Sequence, residues 1–189
     1  MAFRAAVRHP GRVGGLIVVG AEAARVLPAE EDRPQALDER ARNVDERLAP
    51  EIWKTVTRKG WKDNSFPAEA YSRDTAAARR LRKDANDDPM SVLIRYLAEF
   101  LASELRPLFP EVEVPTLVVR PGFSEESLEL RQMYLRFFHE SWDGAEEAND
   151  LIEVETVPES RVFVWRDRPE AFDRLLDGFV ERVGGVTGS

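Results

Sequence analysis

Two side chains in this sequence, His9 and His139, titrate near neutral pH in their unperturbed state, so an imidazole general base must be one of them. His9 falls at the end of a short helical stretch and reads as a solvated residue. His139 follows Phe137-Phe138 at the end of a longer one. A partly exposed helix-terminal histidine is the plain reading there, and a general base the chemical alternative. The absence of cysteine excludes thiol nucleophiles, disulfides and thiolate zinc sites. Ser124 and Ser160 lie in loops after strand-like runs, where a hydroxyl nucleophile would be sought. No metal-ligand spacing is present, and no cofactor is implied. Gly14-Gly15 precedes a strand instead of opening a helix, so it is no phosphate loop. Trp53, Trp61, Phe66 and Tyr71 could line a pocket for a small apolar molecule, although such aromatics more often pack a segment against a core.

The elements that would position these groups begin with AFRAAVRHPGRVGGLIVVG. Ala2, Phe3, Ala6 and Val7 make a small apolar stripe at helical spacing, and His9-Pro10-Gly11 ends it. Leu16-Ile17-Val18-Val19 is a continuous apolar run ending at Gly20, which suits a parallel strand covered on both faces. With no capping residue ahead of the helix, the start looks cut from something longer. Residues 21–113 then change character. Helices are expected near Ala36 to Leu48, past Pro50 through Ile52, Trp53 and Val56, over the basic Thr75 to Asp84, and from Asp88-Pro89 along Met90, Leu93, Ile94, Leu97, Phe100, Leu101 and Leu105.

Val114 to Val119 is the second strand. A helix follows Ser124, which can cap it, with Leu128, Met133, Tyr134, Phe137 and Phe138 on its buried side. Leu151 to Val157 alternates apolar and polar residues, as an edge strand does. The last helix is marked by Asp167 and Glu170 at capping-box spacing, by Pro169 in its first turn, and by Phe172, Leu175, Leu176, Phe179, Val180 and Val183. Strands near 15–20, 114–120 and 151–157, separated by helices, predict an α/β protein with one parallel sheet.

Composition narrows the partners. A net charge of −8 argues against nucleic acid. No run is long enough to span a membrane and no signal-peptide pattern opens the chain, so the expected setting is the cytoplasm, without a membrane.

In this order of elements the chain resembles the C-terminal part of an α/β-hydrolase. The opening stretch is similar to the helix after the nucleophile elbow and the next strand. EVPTLVVRPG is similar to the strand that precedes the catalytic acid, and LIEVETVPESRVFVWRDRPEAFDRLLDGFV to the final strand, histidine loop and last helix. The resemblance implies a core of residues 1–20 and 114–189, with 21–113 inserted as a helical cap. It also implies a G-x-S-x-G elbow just before Met1, and the sequence contains none. The family's histidine position is Val162, and valine cannot shuttle a proton. Phe123 stands near the usual position of the acid. Glu125 is the closest carboxylate there. Glu22 matches an alternative acid position after the earlier strand, and Asp143 is a third candidate. Each is equally a loop, turn or helix-terminal charge.

The expected fold is therefore an incomplete parallel α/β-hydrolase-like sheet with an inserted cap. The resemblance implies a hydrolase of small, largely apolar ester-type substrates, truncated and inactive as the chain stands. The competing class is a non-enzymatic, hydrolase-derived binding or interaction protein using the cap pocket, and a third is a truncated product with no function of its own. A sheet edge left uncovered implies self-association.

Overall fold

Three short apolar runs become three parallel strands of one sheet in the order β1-β2-β3: β1 is Leu16–Val19, β2 is Thr116–Pro121 and β3 is Ile152–Val157. The computed structural model describes residues 2–24, 70–87, 100, 103–124 and 126–186. Leu16 lies opposite Thr116, and Thr116 opposite Ile152. The three strands lie where the hydrophobic runs place them, with ends shifted by a residue or two. β2 is central and buried at every residue but Arg120, as its unbroken apolar run requires. β3 lies outside it, and its alternating Glu153 and Glu155 remain half-exposed.

Each face of the sheet carries its own core. On one, Leu16, Val18, Val118, Ile152 and Val154 pack with Phe3 and Ala6 of α1 (Ala2–Arg8) and with Phe109, Trp142 and Ala145. Phe109 stacks on Trp142 with ring centroids 5.5 Å apart, and Phe3 closes on Trp142 at 6.0 Å. On the other face, Ile17, Val19, Leu117, Val119 and Val157 meet the last helix through Phe172, Leu175, Phe179 and Val183. Burying each large side chain stabilises the fold by about 1.5–3 kcal/mol, so these two layers fix the sheet.

The remaining helices are α2 (Thr75–Asp87), α3 (Leu128–Phe138), the single turns α4 (Ala145–Ala148) and α5 (Val164–Asp167), and the last helix, α6 (Pro169–Val186). The basic segment expected from Thr75 to Asp84 is α2. Within α3, Tyr134 and Phe138 are buried as expected, but Met133 is 38% exposed because it falls on the outer side of the helix. Val180 of α6 likewise points outward, at 56% exposure. Asp167 does not cap α6: it belongs to α5, and its carboxylate is engaged elsewhere. Ser124 is turned away from α3, its hydroxyl accepting the Glu159 N–H at 2.7 Å.

Most of the expected helices between 36 and 105 lie outside the described residues. The helix expected to run to Leu105 has ended by Ser103, and Phe100 is 42% exposed. Ala24 and Glu104 form an antiparallel bridge and the Leu105 N–H donates to Ala23 O at 2.9 Å, so the segment between them leaves and returns at one place. The buried Glu104 carboxylate there accepts Nε and Nη2 of Arg106 at 2.8 and 2.7 Å, which is how a buried charge is tolerated.

Candidate functional site

In a parallel sheet the chain leaves every strand at the same end, and the loops after the three strands converge there. Two glycines let them close on one another. At Gly20, with φ of +57°, a Cβ would stand 2.2 Å from the carbonyl oxygen of Val162. At Gly122 a Cβ would stand 2.8 Å from Pro158 Cα and from Val157 O. Glycine is required at both by close approach, and at Gly20 by the left-handed backbone as well. Hydrogen bonds complete the contact: the Phe123 N–H donates to Ser160 O at 3.0 Å, and the Ser160 hydroxyl to Val157 O at 2.7 Å.

Two residues without glycine's freedom also sit left-handed here, Phe123 at φ 45° and Glu159 at φ 54°. Such a backbone costs about 1–2 kcal/mol and persists only where its surroundings impose it. For Phe123 the compensation is visible. Its ring is buried, stacked on Tyr134 at 4.4 Å and tilted against Phe138 at 5.6 Å. Val162 packs against the same cluster. The positions that the resemblance gives to the acid and the histidine therefore share one apolar cluster, Phe123 and Val162, with no titratable group at either.

The loop after β3 is tied to segment 70–74. The Asp167 carboxylate accepts the buried Ser72 hydroxyl at 2.7 Å, the Arg73 N–H at 2.8 Å and the Arg161 N–H at 2.8 Å. The Phe163 N–H donates to Tyr71 O at 2.7 Å, Arg166 pairs with Asp74 at 2.6 Å, and Arg161 pairs with Glu126 at 2.8 Å. Arg166 holds the Asp74 carboxyl below the usual range. The partners in residues 71–74 lie more than 85 residues from those in the loop after β3, and no local sequence signal marks them. Asp167 was legible only as a misleading capping box.

His139 is a brace. Its Nε2 stands 2.7 Å from Pro121 O, and since a carbonyl only accepts, Nε2 carries the proton. Burial pulls its pKa below the ordinary histidine value, against the hydrogen bond to Pro121, and the nearby Arg120 adds to the lowering. The imidazole is thus neutral at pH 7, with one nitrogen committed to holding the turn at the end of β2. Asp143 lies on the same side, its exposed carboxylate 3.9 Å from Nη1 of Arg120. Glu22 is half-buried just beyond β1, in a loop held by the Trp142 indole N–H on Ala21 O at 2.8 Å and by the Ala23 N–H on the Ser141 hydroxyl at 3.1 Å. Glu125, Trp53, Trp61 and Phe66 lie outside the described residues. Tyr71 is described and packs its ring on Phe163 at 5.6 Å. Both loop serines are occupied, Ser124 by the Glu159 N–H and Ser160 by Val157 O. Among the described residues no group of three or more His, Asp or Glu could hold a metal ion, and no helix is long and apolar enough to cross a membrane.

No protein-family model and no curated protein matches the sequence. Solved structures do match the fold. An esterase from Exiguobacterium antarcticum aligns with a TM-score of 0.64 and 18% identity, over 95% of this chain and 62% of its own. An N-acyl homoserine lactone degrading enzyme aligns with a TM-score of 0.60 and 17% identity, over 95% of this chain and 62% of its own. A thermophilic esterase aligns with a TM-score of 0.54 and 18% identity, over 95% of this chain and 60% of its own. The chain thus spans about three-fifths of the length of the solved structures it matches. With its three parallel strands, helices on both faces and loops meeting at one strand end, the chain has the α/β-hydrolase fold.

Proposed function

We propose that this chain is a hydrolase-fold protein whose strand-end site holds a small, largely apolar, ester-type molecule without cleaving it, beneath a cap formed by residues 21–113. One observation carries the reading: Phe123 and Val162 occupy, in a single apolar cluster, the places where the resemblance puts the carboxylate and the imidazole of a nucleophilic mechanism. An acyl-transfer site needs a base to take the nucleophile's proton, and valine offers none. His139, outside that cluster, commits its Nε2–H to Pro121 O. The neighbours described as esterases and as a lactone-degrading enzyme support the ligand class through their fold alone.

The test is a titration of the chain with a short-chain aryl ester and with its non-hydrolysable ketone analogue, following aromatic fluorescence and phenol release together. Saturable binding of both compounds with no release is expected, weakened by Val162→Asp. Release that tracks occupancy by the ester, or no binding of either compound, would reject the reading.

A further inference from the structure

Among the described residues β3 has β2 on one flank and no strand on the other. The Thr116 N–H of β2 donates to Leu151 O at 2.7 Å, which in a parallel ladder turns the backbone groups of Ile152, Val154 and Thr156 outward. A row of outward N–H and C=O groups is a template for another strand. Here the row of donors is interrupted. The Ile152 N–H donates to Asn149 O at 3.0 Å. The Val154 N–H, at the middle of the strand, donates to Oε1 of Glu146 at 3.0 Å. Pro158, two residues past Thr156, has no N–H. Of these positions only Thr156 has an N–H without an acceptor among the described residues.

Glu146 is held against that edge from behind. Gly144, at φ +77°, turns the chain from Asp143 into α4, the single turn that carries Glu146. Ala145 of the same turn is buried in the core beside β3. Asn149, which ends the turn, donates through Nδ2 to Phe109 O at 3.0 Å and to Val112 O at 2.8 Å, and its Oδ1 accepts the Leu151 N–H at 2.9 Å. Ordering an exposed glutamate costs rotamer freedom, and the charge-assisted bond to Val154 offsets it. We propose that Glu146 guards the β3 edge: by filling the Val154 N–H it prevents the same edge of a second copy of this chain from adding there. Without the carboxylate, Val154 of one copy would face Val154 of the other across a two-fold axis. Such an antiparallel pair exchanges both of its N–H···O bonds and closes as a dimer. In that register Glu153 of each copy meets Glu155 of the other, but Glu153 is already paired with Arg182, so charge alone does not hold the copies apart.

Glu146→Ala removes the guard, and Glu147→Ala removes the same charge from the exposed position beside it. Apparent mass by light scattering, followed against concentration for the native chain and both variants, tests the proposal. The mass of Glu146→Ala is expected to rise toward twice that of the native chain, while Glu147→Ala follows the native curve. Thr156→Pro, added to Glu146→Ala, removes the remaining outward donor and leaves the ladder to β2 intact, and it is expected to restore the native curve. A Glu146→Ala curve that superimposes on the native one overturns the proposal. So does equal association of Glu147→Ala, or association that persists with Thr156→Pro. Should a variant fail to fold, amide exchange of the native chain decides. Corrected for intrinsic rates, the Val154 N–H is expected to exchange at least about tenfold more slowly than that of Thr156, because a carboxylate holds it. Equal rates at the two positions overturn the guard.

Discussion

Asp167 is where the loop after β3 is most exposed to a single substitution. Its carboxylate accepts the Ser72 hydroxyl and the Arg73 and Arg161 N–H groups, at 2.7, 2.8 and 2.8 Å. A hydrogen bond to an ionised group contributes about 1.5–3 kcal/mol, and a buried donor left without a partner costs about 1–3 kcal/mol. The Arg73 N–H is exposed and water replaces its partner, so it counts for little. The Ser72 hydroxyl is buried and the Arg161 N–H partly so, so the loss of their shared acceptor falls on groups that water reaches poorly. Asp167→Ala is therefore expected to destabilise the fold by about 3–5 kcal/mol. For a chain of this size that lowers the melting temperature by roughly 10 °C. Asp167→Asn keeps a carbonyl for Ser72 and Arg73 but turns an NH2 toward the Arg161 N–H, and about half the loss is expected. Urea unfolding followed by circular dichroism reads both. A loss below about 1 kcal/mol for the alanine variant, or a larger loss for asparagine than for alanine, would refute the role given to this carboxylate.

Phe123→Ala empties the aromatic cluster and is expected to cost about 3–5 kcal/mol. Phe123→Gly should cost about 1 kcal/mol less, because it relieves the left-handed backbone; equal losses in urea unfolding would contradict the strain at this position. Gly20→Ala is expected to cost more than about 3 kcal/mol or to abolish folding, since its Cβ would meet the Val162 carbonyl and its φ is positive. An alanine variant of native stability would show that the loops do not close as described. His139 should give stability a pH dependence of defined sign. Its folded pKa lies below the ordinary value of about 6.5, so as pH falls through that value the unfolded chain takes up a proton that the folded chain refuses. Stability is lost on that side and unaffected by this group above it. His139→Gln, compared with the native chain by urea midpoints at about pH 5 and pH 7.5, should remove this part of the slope. An unchanged slope would remove His139 from its place under the Pro121 turn.

The sheet was legible because its signals are local. Leu16 to Val19 and Thr116 to Val119 are unbroken apolar runs, and the alternation at Ile152 to Val157 marked an outer strand. Helix faces were legible to the level of period but not of phase. Met133 and Val180 fit the apolar repeat and yet point outward, because the surface each helix packs against covers a stripe narrower than the repeat. The two loop positions that decide the chemistry, Phe123 and Val162, could be placed by their distance from the strands. Their packing into one cluster could not, since it depends on Tyr134 and Phe138 arriving from α3. The ties of Asp167 to Ser72 and of Arg161 to Glu126 were hidden for the same reason: side-chain pairing between distant segments leaves no periodic trace. There the only local pattern, Asp167 three residues before Glu170, pointed to a helix cap that the fold does not use.

Steady-state release of phenol from short-chain aryl esters, measured on the native chain and on variants with Ser124 or Ser160 replaced by alanine, bears most directly on a site without an acid–base pair. The expected result is release at the uncatalysed rate for all three proteins, with no burst. A stoichiometric burst followed by turnover, abolished by one of the serine substitutions, would contradict it and return the strand-end loops to hydrolytic chemistry.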